Sequence, residues 1–275
     1  MSNTRRCLIA GLTGSGKTTY LAALSYLLDN SKAGQSLILG DKNVDKSYLY
    51  KLYDPWLVYR EVDRTTQGTI ASTTFDLIHP ENPDKHLNLN LPDIAGEDYE
   101  SLLHGDSSLK DNLKNIPDCM MFFIDSRNLS HHALIEDLPD IEVNSNDSND
   151  NDPLQLEFTL NSTSTDVKNV LLLKELQKMF NFQRVCFILS CWDKRSKEEI
   201  PEAVLRREAP FLYNFIKYHY PHSSIYGLSA QGAEYTGDEE QQEALYDKTQ
   251  NGTRAYVKKE YTLSYDITQP LLSLL

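Results

Sequence analysis

Short apolar runs alternate with helix-periodic segments along much of the chain. Residues 7–10, 119–124 and 184–189 have the length and apolar content of buried strands. Strands that are apolar on both faces are typical of the centre of a parallel sheet. Helical periodicity follows at residues 19–28 and 166–180. This alternation of strands and helices predicts an α/β fold.

The remaining pattern completes the expected sheet. Residues 68–79 are rich in β-branched side chains, and residues 86–91 alternate polar and apolar positions as a hairpin partner. Residues 224–228 predict a last strand, and the apolar tail at 267–275 is expected to dock as a helix that starts near Pro270. We therefore expect a three-layer sandwich whose sheet has about six strands, mostly parallel, with one antiparallel strand.

Two segments interrupt this alternation in a chain of 275 residues, which we expect to form a single domain over residues 1–275. The first insertion, at about residues 31–63, is polar with many aromatic side chains and is predicted to be partly helical. The second, at about 135–165, contains the acidic, low-complexity run 144–152. Such a run buries too little surface to offset its ordering entropy, so we expect a mobile surface insertion.

The first strand and the first helix are joined by Gly-Leu-Thr-Gly-Ser-Gly-Lys-Thr at residues 11–18, which fits the phosphate-binding pattern G-x-x-x-x-G-K-[ST]. Glycines let the backbone curl so that its N–H groups point at phosphate oxygens. Lys17 can reach the outer phosphates and act in catalysis, and the Thr18 hydroxyl can bind Mg²⁺. The predicted phosphate-binding residues are Gly11, Thr13, Gly14, Ser15, Gly16, Lys17, Thr18 and Thr19.

Two further stretches suit the γ-phosphate and a metal ion. Asp93-Ile94-Ala95-Gly96 fits D-x-x-G after a predicted strand, where Asp93 can hold Mg²⁺ and the Gly96 N–H can contact the phosphate. Between the first helix and the second strand, the stretch 64–69 resembles the place where GTPases carry a threonine that closes on Mg²⁺, which makes Thr65 and Thr66 candidates, with Thr69 as a competitor. The neighbouring Arg64 is a candidate arginine finger.

Two stretches near later strand ends suit a guanine base. Asp193 follows the strand at 184–189, in a stretch that resembles the place where small GTPases carry N-K-x-D, and there a carboxylate can accept from the N1–H and 2-amino groups of guanine, which adenine lacks. Ser229-Ala230 follows the next strand and is similar to the S-A element of GTPases, which implies that the Ala230 N–H can meet guanine O6. Ligands of open α/β sheets bind outside the carboxyl ends of the strands, where all these stretches lie.

With these elements in order, the chain resembles P-loop GTPases of the translation-factor and Ras-like (TRAFAC) class. Residues 11–24, Arg64-Thr65, residues 91–97 and the tail motif Pro270-Leu271-Leu272 look more narrowly like the bacterial double-GTPase family of predicted conflict systems. The resemblance implies a Ras-like P-loop NTPase fold with insertions, GTP or GDP as ligand, and Mg²⁺ as cofactor. It also implies GTP hydrolysis, a regulatory switch with a protein effector or activator, and a role in anti-phage (antiviral) defence.

Departures from the Ras-like pattern concern catalysis most. Glu97 replaces the glutamine that orients the attacking water, and a carboxylate there can accept a hydrogen bond or act as a base. If Glu97 points away, hydrolysis is slow until a partner supplies groups. Ser190 and Cys191 replace the Asn and Lys of N-K-x-D, and Thr13 stands where Ras has Gly.

Two other functions also fit the sequence. Asp125 ends an apolar strand as the Walker-B aspartate of a P-loop ATPase or kinase does, although Ser126 and Arg127 follow where a catalytic Glu is usual. Alternatively, the protein is a nucleotide-dependent binding module with negligible turnover, whose insertions recognise a partner.

The composition indicates which binding partners and which cellular compartment to expect. The net charge is −13, with 27 basic and 40 acidic residues, whereas proteins that bind nucleic-acid backbones are usually basic. The 4 cysteines lack metal-ligand spacing and are expected to be reduced packing residues. No apolar run approaches the ~18 residues of a membrane span. Because the first strand is predicted so close to residue 1, we expect no signal peptide before it. We therefore expect a cytoplasmic protein that does not bind nucleic acid and does not span a membrane.

Overall fold

A computed structural model of the chain describes residues 3–30, 35–40, 46–60, 73–91, 96–104, 116–129 and 163–275. Within these ranges the strands are β1 (Asn3–Gly11), β2 (Ile38–Leu39), β3 (Thr73–His79), β4 (Asn82–Leu91), β5 (Cys119–Asp125), β6 (Arg184–Ser190), β7 (Ser224–Ser229), β8 (Tyr256–Lys259) and β9 (Thr262–Ser264). The helices are α1 (Lys17–Asp29), α2 (Lys46–Leu57), α3 (Gly96–Leu103), α4 (Thr165–Met179), α5 (Pro201–Glu208), α6 (Pro210–His219), α7 (Glu239–Gln250) and α8 (Gln269–Leu272).

The described strands form one mixed sheet of nine strands in the order β2-β3-β4-β1-β5-β6-β7-β8-β9. Its centre is parallel, because β1 pairs in parallel with β4 and β5, β5 with β6, and β6 with β7. The outer pairs, β2 with β3, β3 with β4, β7 with β8 and β8 with β9, are antiparallel. The α/β class and the mostly parallel centre are therefore confirmed.

The expectation of about six strands with one antiparallel strand was wrong. The additional strands β2, β8 and β9 are only 2, 4 and 3 residues long. They lie toward the two sides of the sheet, where a strand is partly exposed and no continuous apolar run marks it. Helix α7 and strand β8 both lie in the polar stretch 235–261. No hydrophobic periodicity in this stretch predicts the helix.

Helices cover both faces of the sheet, which confirms the three-layer arrangement. On one face, Cys7 and Ile9 of β1 pack with buried residues of α1, α2 and the tail. On the other face, Leu8 and Ala10 pack with α3, α4, α5 and α6. Alternate residues of β1 enter opposite cores, as they must in a strand with helices on both sides.

Several local expectations can be compared with these elements. The sequence also predicts a helix over residues 201–218 with a break near Pro210, and the structure divides this segment there into α5 and α6. The tail forms α8 near Pro270, as predicted. The first insertion does contain a helix, α2; the sequence predicts an interruption at Pro55, but Pro55 lies inside the last turn of this helix. The acidic run 144–152 of the second insertion lies outside the described residues. Within the described ranges, no helix has the length and apolar content needed to cross a membrane.

The parallel centre determines where a ligand can bind. β1, β5, β6 and β7 run in the same direction, so the segments that follow them emerge at one edge of the sheet. These segments are the glycine-rich loop before α1, the short 3₁₀ turns Ser126–Asn128 and Trp192–Lys194, and residues 230–232.

Replacing Leu176 in α4 tests the core on the second face. Leu176 is fully buried, so Leu176→Ala is expected to lower the free energy of unfolding by about 2–5 kcal/mol through lost contacts and a cavity. The same change at Leu263, which is 40% exposed on β9, should cost no more than about 0.5 kcal/mol. Urea unfolding measures both, and equal losses would contradict this packing.

Candidate functional site

The glycine-rich loop lies between β1 and α1, as its pattern predicts. Gly16 has φ 86° at the start of α1. A side chain there would also place its Cβ 3.1 Å from Cβ of Ser190 on β6. Both the left-handed backbone and the close approach to β6 therefore require glycine. Ser190 replaces the larger Asn of N-K-x-D at this contact, where space is short.

The Lys17 ammonium group folds back on the loop that carries it. Its Nζ donates to the carbonyl oxygens of Gly11 at 2.7 Å and Leu12 at 2.9 Å. Nζ also lies 5.5 Å from the centroid of the Tyr99 ring. Desolvation lowers the pKa of Lys17 to about 7. Because both carbonyls are weak counter-charges, an anion at the loop is a better partner for this ammonium group.

The loop has a further unsatisfied polar atom. Thr13 Oγ1 is buried and finds no hydrogen-bond partner among the described residues. A buried hydroxyl without a partner is costly, and an acceptor such as a phosphate oxygen satisfies it. Thr13 and the loop amides therefore fit an anionic ligand.

Helix α3 is attached directly to the glycine-rich loop region. It begins at Gly96, the last residue of D-x-x-G, and its Tyr99 donates a 2.6 Å hydrogen bond to the carbonyl oxygen of Ile9 on β1. Tyr99 is fully buried beneath Lys17. The candidates Arg64, Thr65, Thr66 and Asp93 lie outside the described residues, as do Thr69 and the side chain of Glu97.

A hydrogen bond joins the two predicted base-reading segments. Ser229 Oγ donates to Asp193 Oδ1 at 2.8 Å, and the backbone N–H of Gly232 donates to Ser229 Oγ at 3.2 Å. This chain fixes one oxygen of the Asp193 carboxylate. No described residue donates to its Oδ2, so the carboxylate keeps acceptor capacity for a ligand.

A cavity of about 180 Å³ lies between these segments. An engineered cavity of about 150 Å³ holds a benzene ring, so this one admits a planar ring. It is lined by Gly16, Thr19, Arg127, Ser190, Cys191, Asp193, Lys194, Leu228, Ala230, Gln231, Ala233, Glu234 and Tyr235. The predicted residues Gly16, Thr19, Asp193 and Ala230 thus meet around one space, with Ser229 behind Asp193. Gly11, Thr13, Gly14, Ser15 and Thr18 lie in the adjoining loop or first helical turn and do not line the cavity.

Arg127 lines the cavity although the sequence analysis gave it no role in binding. Its Nε and Nη2 donate to the Asp125 carboxylate at 3.0 and 2.8 Å, in a two-pronged ion pair. The hydrogen bond to Asp125 raises the pKa of Arg127. An Arg two residues after a strand-ending Asp is the signal that sequence reasoning could have used.

The hydrogen bonds of the Asp125 carboxylate limit the roles that this residue can take. Its Oδ1 also accepts from the backbone N–H of Arg127 at 3.0 Å, and its Oδ2 accepts from Asn128 Nδ2 at 2.9 Å. Both carboxylate oxygens are therefore engaged in holding the turn Ser126–Asn128. An aspartate committed in this way fits a structural cap better than the Mg²⁺ ligand of an ATPase.

Charged groups also line the cavity near Asp193. Lys194 forms an ion pair with Glu234, and both side chains line the cavity. Cys191 precedes this turn with φ 54°, and burial raises the pKa of its thiol. Cys191 cannot stack a long alkyl stem on a base as the Lys of N-K-x-D does, so Arg127 and Lys194 are the cations available here.

One protein family is similar to this chain over almost its whole length. A model of the Double-GTPase 1 family matches residues 8–274. A search of curated proteins gave no significant match.

Similar solved structures include Sup35 complexed with GDP, which is 10% identical over 85% of this chain and 39% of that chain, with a TM-score of 0.40. The GTP-bound S. cerevisiae Ski7 GTPase-like domain is 15% identical over 83% of this chain and 43% of that chain, with a TM-score of 0.40. The signal recognition particle receptor SRb-GTP/SRX complex from Chaetomium thermophilum is 14% identical over 88% of this chain and 97% of that chain, also with a TM-score of 0.40. This chain therefore spans less than half the length of the first two.

Binding of a nucleoside diphosphate is expected to take up about one proton at pH 8. With a pKa of about 7, Lys17 is mostly neutral at that pH, and an adjacent phosphate favours its charged form. Affinity should therefore fall as pH rises above 7. Calorimetric titration in buffers of different ionisation enthalpy measures the proton uptake. Lys17→Arg, whose side chain stays charged, should take up none; a wild-type protein without uptake contradicts the assignment.

Proposed function

Since the chain belongs to the Double-GTPase 1 family, we propose that it binds GTP with Mg²⁺, hydrolyses it to GDP, and acts as a regulatory switch. The observation that carries the proposal is the cavity between the glycine-rich loop and the Asp193–Ser229 hydrogen bond. The proposed phosphate site and the proposed base site are thus adjacent, as one nucleotide requires.

Guanine suits the base site because of the acceptors there. The Asp193 carboxylate can accept from the N1–H and 2-amino groups of guanine, and Ser229 holds it in place through Oδ1. Adenine offers no such pair of donors, so it would leave a desolvated carboxylate unpaired. Ala230 lines the same cavity, and its N–H is the proposed donor to guanine O6.

Arg127 is the proposed replacement for the stacking lysine of N-K-x-D. A guanidinium is planar and weakly hydrated, so it packs against the face of an aromatic ring. Its two-pronged pairing with the buried Asp125 carboxylate holds it at the cavity wall. This arrangement also supports GTP over the ATPase or kinase alternative, which needs Asp125 for Mg²⁺.

The phosphates and the metal ion belong at the glycine-rich loop. Lys17 would exchange its bonds to loop carbonyl oxygens for bonds to phosphate oxygens, and Thr18, in the first turn of α1, would bind Mg²⁺. A hydroxyl oxygen and a carboxylate suit this hard cation, so Asp93 is the proposed acidic partner, and Thr65 or Thr66 would close the site. When bound, Mg²⁺ would offset the negative charge of the phosphates.

Hydrolysis is assigned to Glu97 and Arg64 together with Lys17. Glu97 would accept a hydrogen bond from the attacking water, and Arg64 would offset charge on the transferred phosphoryl group. Glu97 belongs to α3, whose Tyr99 lies beneath Lys17, so the helix that carries the water-positioning group contacts the phosphate-binding lysine. We expect slow turnover without an activating partner.

The wider role rests on family resemblance alone. We propose that the protein serves a bacterial anti-phage defence system and signals to a protein effector through its nucleotide state. The alternative of a binding module with negligible turnover differs from this proposal in hydrolysis and not in nucleotide binding.

Asp193→Asn is expected to exchange the base preference from guanine to xanthine. The Asn Oδ1 can still accept from Ser229, but its amide now donates where guanine also donates. GDP affinity should fall about tenfold or more, and XDP affinity should rise above that of the wild type. Fluorescence titration with labelled GDP, XDP and ADP measures both changes. Unchanged GDP affinity without a gain for XDP would remove the guanine assignment.

Measuring GTP hydrolysis distinguishes the proposed regulatory switch from the alternative of a binding module with negligible turnover. Wild-type protein with Mg²⁺ should release phosphate from GTP, and Glu97→Ala should lower that rate about 10²-fold because the water loses its positioning group. GDP affinity of Glu97→Ala should stay near that of the wild type, since Glu97 is assigned to the γ-phosphate side.

Lys17→Ala is the control for that assay, because loss of the phosphate-binding lysine should remove both binding and turnover. A wild-type rate that is no faster than that of Lys17→Ala would favour the binding module.

A further inference from the structure

We propose that Trp56 and Arg254 are positioning residues for guanine recognition, because they hold residues 229–232 in the arrangement that presents Ala230 to the base. This inference rests on the proposed guanine-nucleotide function. It assigns a role to the aromatic first insertion, which a minimal nucleotide site does not need.

Trp56 joins the insertion to the base-reading segment by one hydrogen bond. It lies near the end of α2 and is 2% exposed. Its indole Nε1 donates to the carbonyl oxygen of Ala230 at 2.9 Å. A buried indole N–H needs a partner, and here that partner is the residue proposed to meet guanine O6.

Arg254 holds the next residue of the same segment. It is 2% exposed, and its Nε donates to the carbonyl oxygen of Gln231 at 3.0 Å. Its guanidinium carbon lies 3.6 Å from the centroid of the Trp56 ring, and Nη2 donates to the Tyr235 hydroxyl at 2.5 Å. One planar group thus stacks on the indole and donates to the loop, which a lysine cannot do at once.

The Arg254 side chain carries a positive charge although it is buried. Burial lowers the pKa of Arg254, and no carboxylate of the described residues forms a salt bridge with it. The cation is balanced by the face of Trp56, a carbonyl dipole and a tyrosine hydroxyl. Because this balance depends on several groups in place together, movement of Trp56 should disturb Arg254 and the loop it holds.

The segment 229–232 is consequently held at every residue. Ser229 is bonded to Asp193, Ala230 to Trp56, and Gln231 to Arg254. Gly232 has φ +86°, and a Cβ there would lie 2.7 Å from the carbonyl oxygen of Arg254. Since Ala230 and Gln231 line the base cavity, these contacts determine the shape of its wall.

Helix α2 has a separate attachment that serves as an internal comparison. Tyr53, one turn before Trp56, donates from its hydroxyl to Asp29 Oδ2 at the end of α1, at 2.7 Å. That contact holds the helix without touching the base-reading segment. Loss of the Tyr53 bond therefore tests the attachment of α2 alone, whereas loss of the Trp56 Nε1 bond tests its action on the loop.

The test is Trp56→Phe, which keeps an aromatic face for Arg254 and removes the N–H donor. Its GDP affinity should fall about fivefold, the effect of one lost hydrogen bond. For 6-thio-GDP, whose sulfur is a weak acceptor at position 6, the loss should be less than about twofold. For IDP, which lacks only the 2-amino group read by Asp193, the fivefold loss should persist.

Two further variants distinguish the loss of this specific contact from a general folding defect. Arg254→Lys keeps the charge but loses the planar group, and it should show the same dependence on position 6. Tyr53→Phe should bind GDP and 6-thio-GDP as the wild type does. Circular dichroism and thermal unfolding accompany each binding measurement.

The outcomes distinguish this inference from the proposed function. If the wild-type protein binds GDP no better than ADP, both are overturned. If the wild type prefers GDP but Trp56→Phe and Arg254→Lys bind it unchanged, or lose GDP and 6-thio-GDP equally, only the positioning role is overturned. A loss in Tyr53→Phe equal to that in Trp56→Phe would likewise assign the effect to helix attachment.

Discussion

The parallel pairing of β1, β5, β6 and β7 is the constraint on which the rest of the site depends. Parallel strands release their following segments at one edge, so pieces far apart in sequence become neighbours there. The glycine-rich loop contributes the proposed phosphate end of the site, and the segments after β6 and β7 contribute the proposed base end. Helices on both faces bury the strands and keep this edge in place.

At the proposed base end, the side chains differ from those of the N-K-x-D motif. Ser190 lies close to Gly16, where a Cβ on residue 16 would come within 3.1 Å of the Ser190 Cβ, and Cys191 offers no cation for a base. The proposed replacement is the positive, planar guanidinium of Arg127, which Asp125 holds in the turn after the neighbouring strand β5. The ion pair explains both why Asp125 is buried and why it is a poor candidate for a metal ligand.

The aromatic first insertion and the residue just before β8 both contact residues 229–232. Trp56 of α2 and Arg254, just before β8, stack on one another and bond to consecutive carbonyl oxygens of the base-reading segment. The insertion therefore reaches the proposed nucleotide site through hydrogen bonds to its backbone. In our proposal, these contacts let the insertion control the wall of the base cavity without altering the residues assigned to touch the base.

The sequence by itself determined the α/β class, the glycine-rich loop, the break at Pro210 and the candidates Asp193 and Ala230, because each depends on neighbours a few residues away. It did not determine β2, β8 and β9, whose short strands exist only through pairing with the sheet. Nor did it indicate Arg127, Trp56 or Arg254 as site residues. Trp56 and Ala230 are 174 positions apart, and only the tertiary fold brings a donor and an acceptor over that separation into contact.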